Sequence, residues 1–163
     1  MKLFVVLLVG AFAVLINGFS DIRVKRSDEN DWQGLHKAAY NGNLQEMRDL
    51  LRRGTNVNVR GKDNWTPLHV AARYDKAEVA RLLLANGANV NAEDKEKWIP
   101  IHVTAKHGSV NVAKILIQNG ANVNAKDSLP NKRTPLFETA CYGQVEVAKV
   151  LIANGADVNA RDI

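Results

Sequence analysis

The feature that most constrains this chain is self-similarity at a fixed period. Leu35-His36, Leu68-His69 and Ile101-His102 recur at intervals of 33 residues, and so do Gly54, Gly87 and Gly120. A unit of that length holds little more than two short helices and a turn, and it cannot bury its own apolar face. Neighbours must stack to share one continuous core, and about three units are needed before such an array is stable. The spacing divides residues 27–163 into four units, at 28–60, 61–93, 94–126 and 127–161, the last lengthened by two residues inserted around Ser128–Arg133.

Each unit carries its own start and stop signals. Thr66 and Thr134 stand where a helix wants an N-cap hydroxyl, and Pro67, Pro100 and Pro135 follow in the first turn. Leu68, Ala71 and Ala72 have i, i+3, i+4 spacing, which places one small apolar stripe on a short helix. Gly42, Gly108 and Gly143 end that helix in the left-handed conformation, and Asp75 occupies the same slot at some conformational cost. A second helix, carrying Val79, Leu82 and Leu83 in the second unit, ends at Asn86-Gly87, and its equivalents end at Asn119-Gly120 and Asn154-Gly155. The first unit has Glu46 and Asp49 where the others have apolar residues, as expected of a terminal unit with nothing stacked on one side. The fourth unit keeps an apolar second helix (Val145, Val147, Val150, Leu151, Ile152).

The fullest stretches are Thr66-Pro67-Leu68-His69-Val70-Ala71-Ala72 and Leu82-Leu83-Leu84-Ala85-Asn86-Gly87-Ala88-Asn89-Val90-Asn91-Ala92. They closely resemble the ankyrin repeat, with its 33-residue period and T-P-L-H-x-A signature. The resemblance covers about Asp28 to Ile163 and implies an all-α solenoid of four helix-turn-helix units joined by β-turn or hairpin loops. It also implies that His36, His69 and His102 hydrogen-bond between neighbouring loops. Phe137 replaces this His in the fourth unit, so the bond is expected to be missing there.

Ahead of the repeats lies a different composition. After Met1-Lys2 comes an apolar run of fourteen residues, Leu3–Ile16. Crossing a bilayer as a helix takes about 20 residues, so the run matches the core of a secretory signal peptide over residues 1–20, with Gly18 and Ser20 placed for cleavage after Ser20 and cleavage after Gly18 as the alternative. Arg23-Val24-Lys25-Arg26 then resembles the basic site cut by furin-type convertases, which makes 21–26 a pro-segment. The competing reading keeps the run uncleaved as an anchor, with Arg23, Lys25 and Arg26 holding the repeats in the cytosol by the positive-inside rule.

Charge and chemistry exclude several functions. The formal net charge is +5, but without residues 1–26 there remain 18 bases and 16 acids, a net of +2. That balance does not call for nucleic acid, and the mature chain is not expected to insert stably into a membrane. One cysteine cannot form an internal disulfide. Cys141 has no evident His partner, Gly61-Lys62 lacks the rest of a phosphate-binding loop, and the histidines do not cluster. The reading is therefore a non-enzyme without metal or cofactor.

A binding face is the better candidate. The ankyrin resemblance implies a concave surface, made of turns and first helices, that binds other proteins. Trp32, Trp65 and Trp98 share one slot just before the Thr-Pro position, with Arg133 as the fourth rung. Beside them fall Tyr40, Arg73-Tyr74, Lys106-His107 and Cys141-Tyr142. Trp, Tyr and Arg are enriched in interface hot spots, which nominates Trp65, Trp98, Arg73, Tyr74, Lys106, His107, Arg133 and Tyr142 as protein-binding. The competing role for the tryptophans is packing along adjacent turns. The inserted Ser128–Arg133 is expected to form a longer basic finger beside this face. Asn64-Trp65-Thr66 is an N-glycosylation sequon, with Asn64 as acceptor.

These features together point to a secreted, non-catalytic ankyrin module that binds a protein, of the kind exported as an effector or venom-type factor. The alternative is a membrane-anchored intracellular scaffold. The layout is similar in part to the latrotoxins of spider venom, through the repeats and the general arrangement alone. Their large non-repeat N-terminal region has no counterpart here, so pore formation is not implied.

Overall fold

The computed structural model describes residues 34–130 and 132–160, all within one compact unit that spans Trp32–Ile163. The signal-peptide and processing expectations, including Ser20, Arg23, Lys25 and Arg26, lie outside the described residues, as does Trp32. The described residues hold eight α-helices and no strand. They are α1 (34–41), α2 (Leu44–Arg52), α3 (Pro67–Arg73), α4 (Ala77–Ala85), α5 (Pro100–His107), α6 (Val110–Gln118), α7 (Pro135–Tyr142) and α8 (Val145–Ala153).

Two rows of helices result. The first helices of the units pack side by side, α3 on α5 and α5 on α7. The second helices form the other row, α2 on α4, α4 on α6 and α6 on α8. Each unit closes on itself through pairs such as α5 with α6. The core between the rows is continuous: Leu35, Met47, Leu68, Leu83, Ile101, Leu116 and Leu151 are fully buried. Ala38, Ala39, Ala71, Ala72 and Ala105 are small enough for the first helices to approach closely, and all are fully buried.

The local signals act as the sequence suggests. Thr134 accepts a hydrogen bond from the Phe137 N–H at the start of α7 (3.3 Å). Thr66 works through its neighbour, because His69 Nδ1 accepts from both the Thr66 N–H (3.2 Å) and the Thr66 hydroxyl (2.9 Å). Gly108 and Gly143 cap α5 and α7 at φ of 74° and 67°, and Asp75 takes the same left-handed turn at 48°.

Asp75 also has a role that its position did not announce. Its carboxylate accepts from the Val112 N–H (2.9 Å) and the Asn111 amide (2.8 Å), so it caps α6 from the preceding unit. A second inter-unit device is a zipper of asparagines. Asn58 donates to the Gly87 carbonyl (3.2 Å) and accepts from the Asn89 N–H (2.7 Å). Asn91 repeats this with Gly120 and Asn122, and Asn124 with Gly155 and Asp157.

Candidate functional site

The turns and the ends of the first helices enclose a groove of about 420 Å³. It takes in seven of the eight nominated residues, all but Tyr74. Turn residues Asp63, Trp65, Asp94, Lys95, Glu96, Trp98 and Arg133 form one wall; Arg73, Val103, Lys106, His107 and Tyr142 form the other. The 33-residue repeat produces this arrangement, since equivalent slots on stacked units lie side by side.

The tryptophans are built into the stack. Trp98 is only 7% exposed. Its indole N–H donates to Asp127 (3.3 Å), and that of Trp65 donates to Asp94 (3.1 Å), so each tryptophan is tied to the first turn residue of the next unit. Their rings stack on His69 and His102, with centroids 5.7 Å apart in both pairs. Packing along adjacent turns describes Trp98 well, and Trp65 more loosely because it is half-buried.

The histidine bonds are present twice among the described residues. His36 Nε2 meets the Trp65 carbonyl at 2.9 Å, and His69 Nε2 meets that of Trp98 at 3.1 Å. Because His69 Nδ1 accepts from the Thr66 N–H, its proton sits on Nε2 and the imidazole is neutral. Burial holds its pKa down to about 4, against an opposing pull from the Trp98 carbonyl. The third bond fails: the buried His102 Nε2 has no hydrogen-bond partner among the described residues. The residue in the equivalent position is Arg133, whose carbonyl accepts from the Asp127 N–H (3.1 Å), as the Trp65 and Trp98 carbonyls accept from the Gly61 and Asp94 N–H groups, and still pulls the His102 pKa upward against burial. This gap lies at the third unit's histidine and is separate from the fourth unit, where Phe137 stands in the histidine slot.

The inserted turn is not a free basic finger. Asp127, buried, gathers it by accepting from the Leu129 and Arg133 N–H groups (3.1 and 3.0 Å). The Arg133 guanidinium turns inward, 3.2 Å from Asp127 and 3.0 Å from Glu138. Only Lys132 of the two cations points to solvent. Glu138 was not singled out from the sequence. It is fully buried in the slot that Val70 and Val103 fill in the middle units, and burial raises its pKa while Arg133 pulls it down. The missed signal was an acid at an apolar repeat position.

Arg73 and Lys106 are held differently. The Arg73 guanidinium lies 5.9 Å from the centroid of the Trp65 ring and 5.4 Å from that of Tyr74. The Lys106 ammonium lies 5.3 Å from the centroids of both Trp98 and Tyr142. Tyr74 itself leaves the groove to meet Tyr40 edge-on, with centroids 4.8 Å apart. His107 is exposed at the groove edge, and its pKa is lowered by partial burial and by Arg73 and Lys106 nearby. Asn64 is exposed on its turn, while the Thr66 hydroxyl of the same sequon is buried against His69. Cys141 is free and exposed. Among the described residues no group of three His, Cys, Asp or Glu side chains is arranged to hold a metal, and no helix is long and apolar enough to cross a membrane.

The family model for ankyrin repeats (3 copies) matches residues 4–94 and 89–162. The chain belongs to the ankyrin-repeat family. Such repeats generally mediate protein–protein interaction and are typically non-catalytic. No curated protein matches the chain by sequence.

Proposed function

We propose that this chain is a secreted, non-catalytic ankyrin module that captures a protein partner in the groove between its turns and first helices. The observation that carries the binding reading is the groove's lining. Aromatic faces and unsaturated cationic donors converge there on a rigid repeat scaffold, and these are the residue types on which binding energy concentrates. Export rests on the sequence of residues 1–20, whose short apolar run and small residues suit a cleaved leader. A venom-type or effector role would follow from export combined with a binding face.

Expression of the full open reading frame in secretory eukaryotic cells tests export. Protein in the medium beginning at Ser27 supports export and removal of 21–26, and a start at Asp21 supports export alone. Retention in the cell fraction with Leu3–Ile16 attached overturns export and favours the anchored scaffold.

A further inference from the structure

The carboxylates of the groove and its cations differ in what they have left to offer. Asp94 Oδ1 already accepts from the Glu96 and Trp98 N–H groups (2.8 and 2.9 Å), and its Oδ2 from the Trp65 indole. Asp127 accepts from two backbone N–H groups, the Trp98 indole and Arg133. Asp63 is paired with Lys95 at 2.9 Å across neighbouring turns. Arg133 is drawn between Asp127 and Glu138. Among the described residues no carboxylate lies within ion-pair distance of Arg73 or Lys106, although Glu138 feels the charge of Lys106; aromatic rings flank both cations. The lining has therefore spent its acceptors inside the fold and presents charged donors outward. Glu96 and the surface Asp63–Lys95 pair are the exceptions, exposed on the turns and not on the helices that carry Arg73 and Lys106.

Arg73 and Lys106 occupy one repeat slot, on the adjacent helices α3 and α5. Adjacent packed helices lie about 8–10 Å apart, so the two cations project from backbone positions on about that spacing. A peptide in the polyproline II conformation advances about 3.1 Å per residue with three residues per turn, which puts side chains i and i+3 on one edge about 9 Å apart. Its backbone would lie over Val103 and beside the Tyr142 ring. The rings beneath Arg73 and Lys106 limit their rotamers before binding, which lowers the entropy lost when each meets a carboxylate.

We infer that the groove takes an acidic, extended peptide segment of its partner, with carboxylates at i and i+3 engaging Arg73 and Lys106. This rests on the reading of the groove as the binding face and specifies the chemistry of what enters it.

The test is selection of a random twelve-residue peptide display library on the full chain and on the full-chain Arg73→Glu/Lys106→Glu variant. Circular dichroism of the variant checks that the helices remain. The expected result is enrichment of Asp and Glu at i, i+3 on the unaltered chain. Binding of those peptides should weaken at least tenfold on the variant and fall with rising salt. Enrichment of neutral or basic peptides, undiminished binding of acidic peptides by the variant, or no enrichment each overturns the inference. A His107→Trp variant, which fills the groove edge without removing either cation, separates the two claims. Non-acidic binders lost on His107→Trp leave the binding face standing and remove only its acidic preference. Non-acidic binders indifferent to His107→Trp remove both.

Discussion

Single residues in this chain act across unit boundaries, and their mutational behaviour should reveal it. Asp75 is a strained left-handed residue whose carboxylate caps α6 of the next unit. Asp75→Ala loses the cap and keeps the strain, so it should lower unfolding stability by about 1–2 kcal/mol. Asp75→Gly loses the cap but relieves the strain, and should be close to neutral in the same denaturant titration. The sequence exposed the strain, through a non-glycine in a glycine slot. It hid the compensation, because Asn111 and Val112 lie a whole unit further along.

His69 carries a pH signature. Its folded pKa of about 4 lies below the ordinary 6.5 of the unfolded chain. The unfolded chain therefore binds the extra proton first, and the contribution is complete above pH 6.5 and is lost as pH falls toward 4. A difference of that size amounts to about 3 kcal/mol. Burial lowers the pKa of His102 as well, which adds in the same direction, whereas the raised pKa of Glu138 acts with the opposite sign. Urea midpoints at pH 7, 5.5 and 4 should fall in that order, and His69→Gln should flatten the slope. An unchanged slope in that variant would assign acid sensitivity elsewhere.

Between elements, the stack is held by polar contacts that repeat with the core. Asn91 exchanges one donated and one accepted hydrogen bond with the neighbouring turn, so Asn91→Ala should cost about 1–2 kcal/mol although the residue is exposed. Most surface substitutions change stability far less, which makes thermal unfolding a clear check. Arg133 is the only cation within ion-pair distance of the buried Asp127 and Glu138 among the described residues. Arg133→Ala would leave both acids without it, and a loss of about 3–5 kcal/mol is expected by chemical denaturation. Trp98→Ala, by opening a cavity under the turn, should also cost about 3–5 kcal/mol, so its effect on binding must be read against its effect on folding. Helix starts and stops were legible because Thr-Pro and Gly act within a few residues. The asparagines were visible as a repeated Asn-Val-Asn pattern, yet their partners are one unit away and a local reading assigns them nothing. The inserted turn misled for a related reason: counting Lys132 and Arg133 as a basic finger ignored Asp127 and Glu138, which the fold brings to the guanidinium.

At the scale of the whole molecule, stacking converts a sequence period into a lined groove. Seven of the eight residues nominated from repeat position meet there because equivalent slots become spatial neighbours. Position alone did not separate Trp98 and Arg133, spent inside the fold, from Arg73, Lys106 and Tyr142, which face outward. That distinction depends on which carboxylates come close: for Trp98 it is Asp127 of the next unit, and for Arg133 they are Asp127 and Glu138 of its own unit, folded back by the inserted turn. On the proposed function this groove, and not the row of second helices, meets the partner. The most direct measurement places a photocrosslinking residue at Tyr142 in the groove, or at Glu78 on α4, in otherwise unaltered full chain. Each is irradiated with extracellular and cell-surface proteins. Discrete adducts from position 142, competed by unlabelled chain and absent from position 78, are the predicted result. Adducts from position 78 alone, or equally from both, would contradict it.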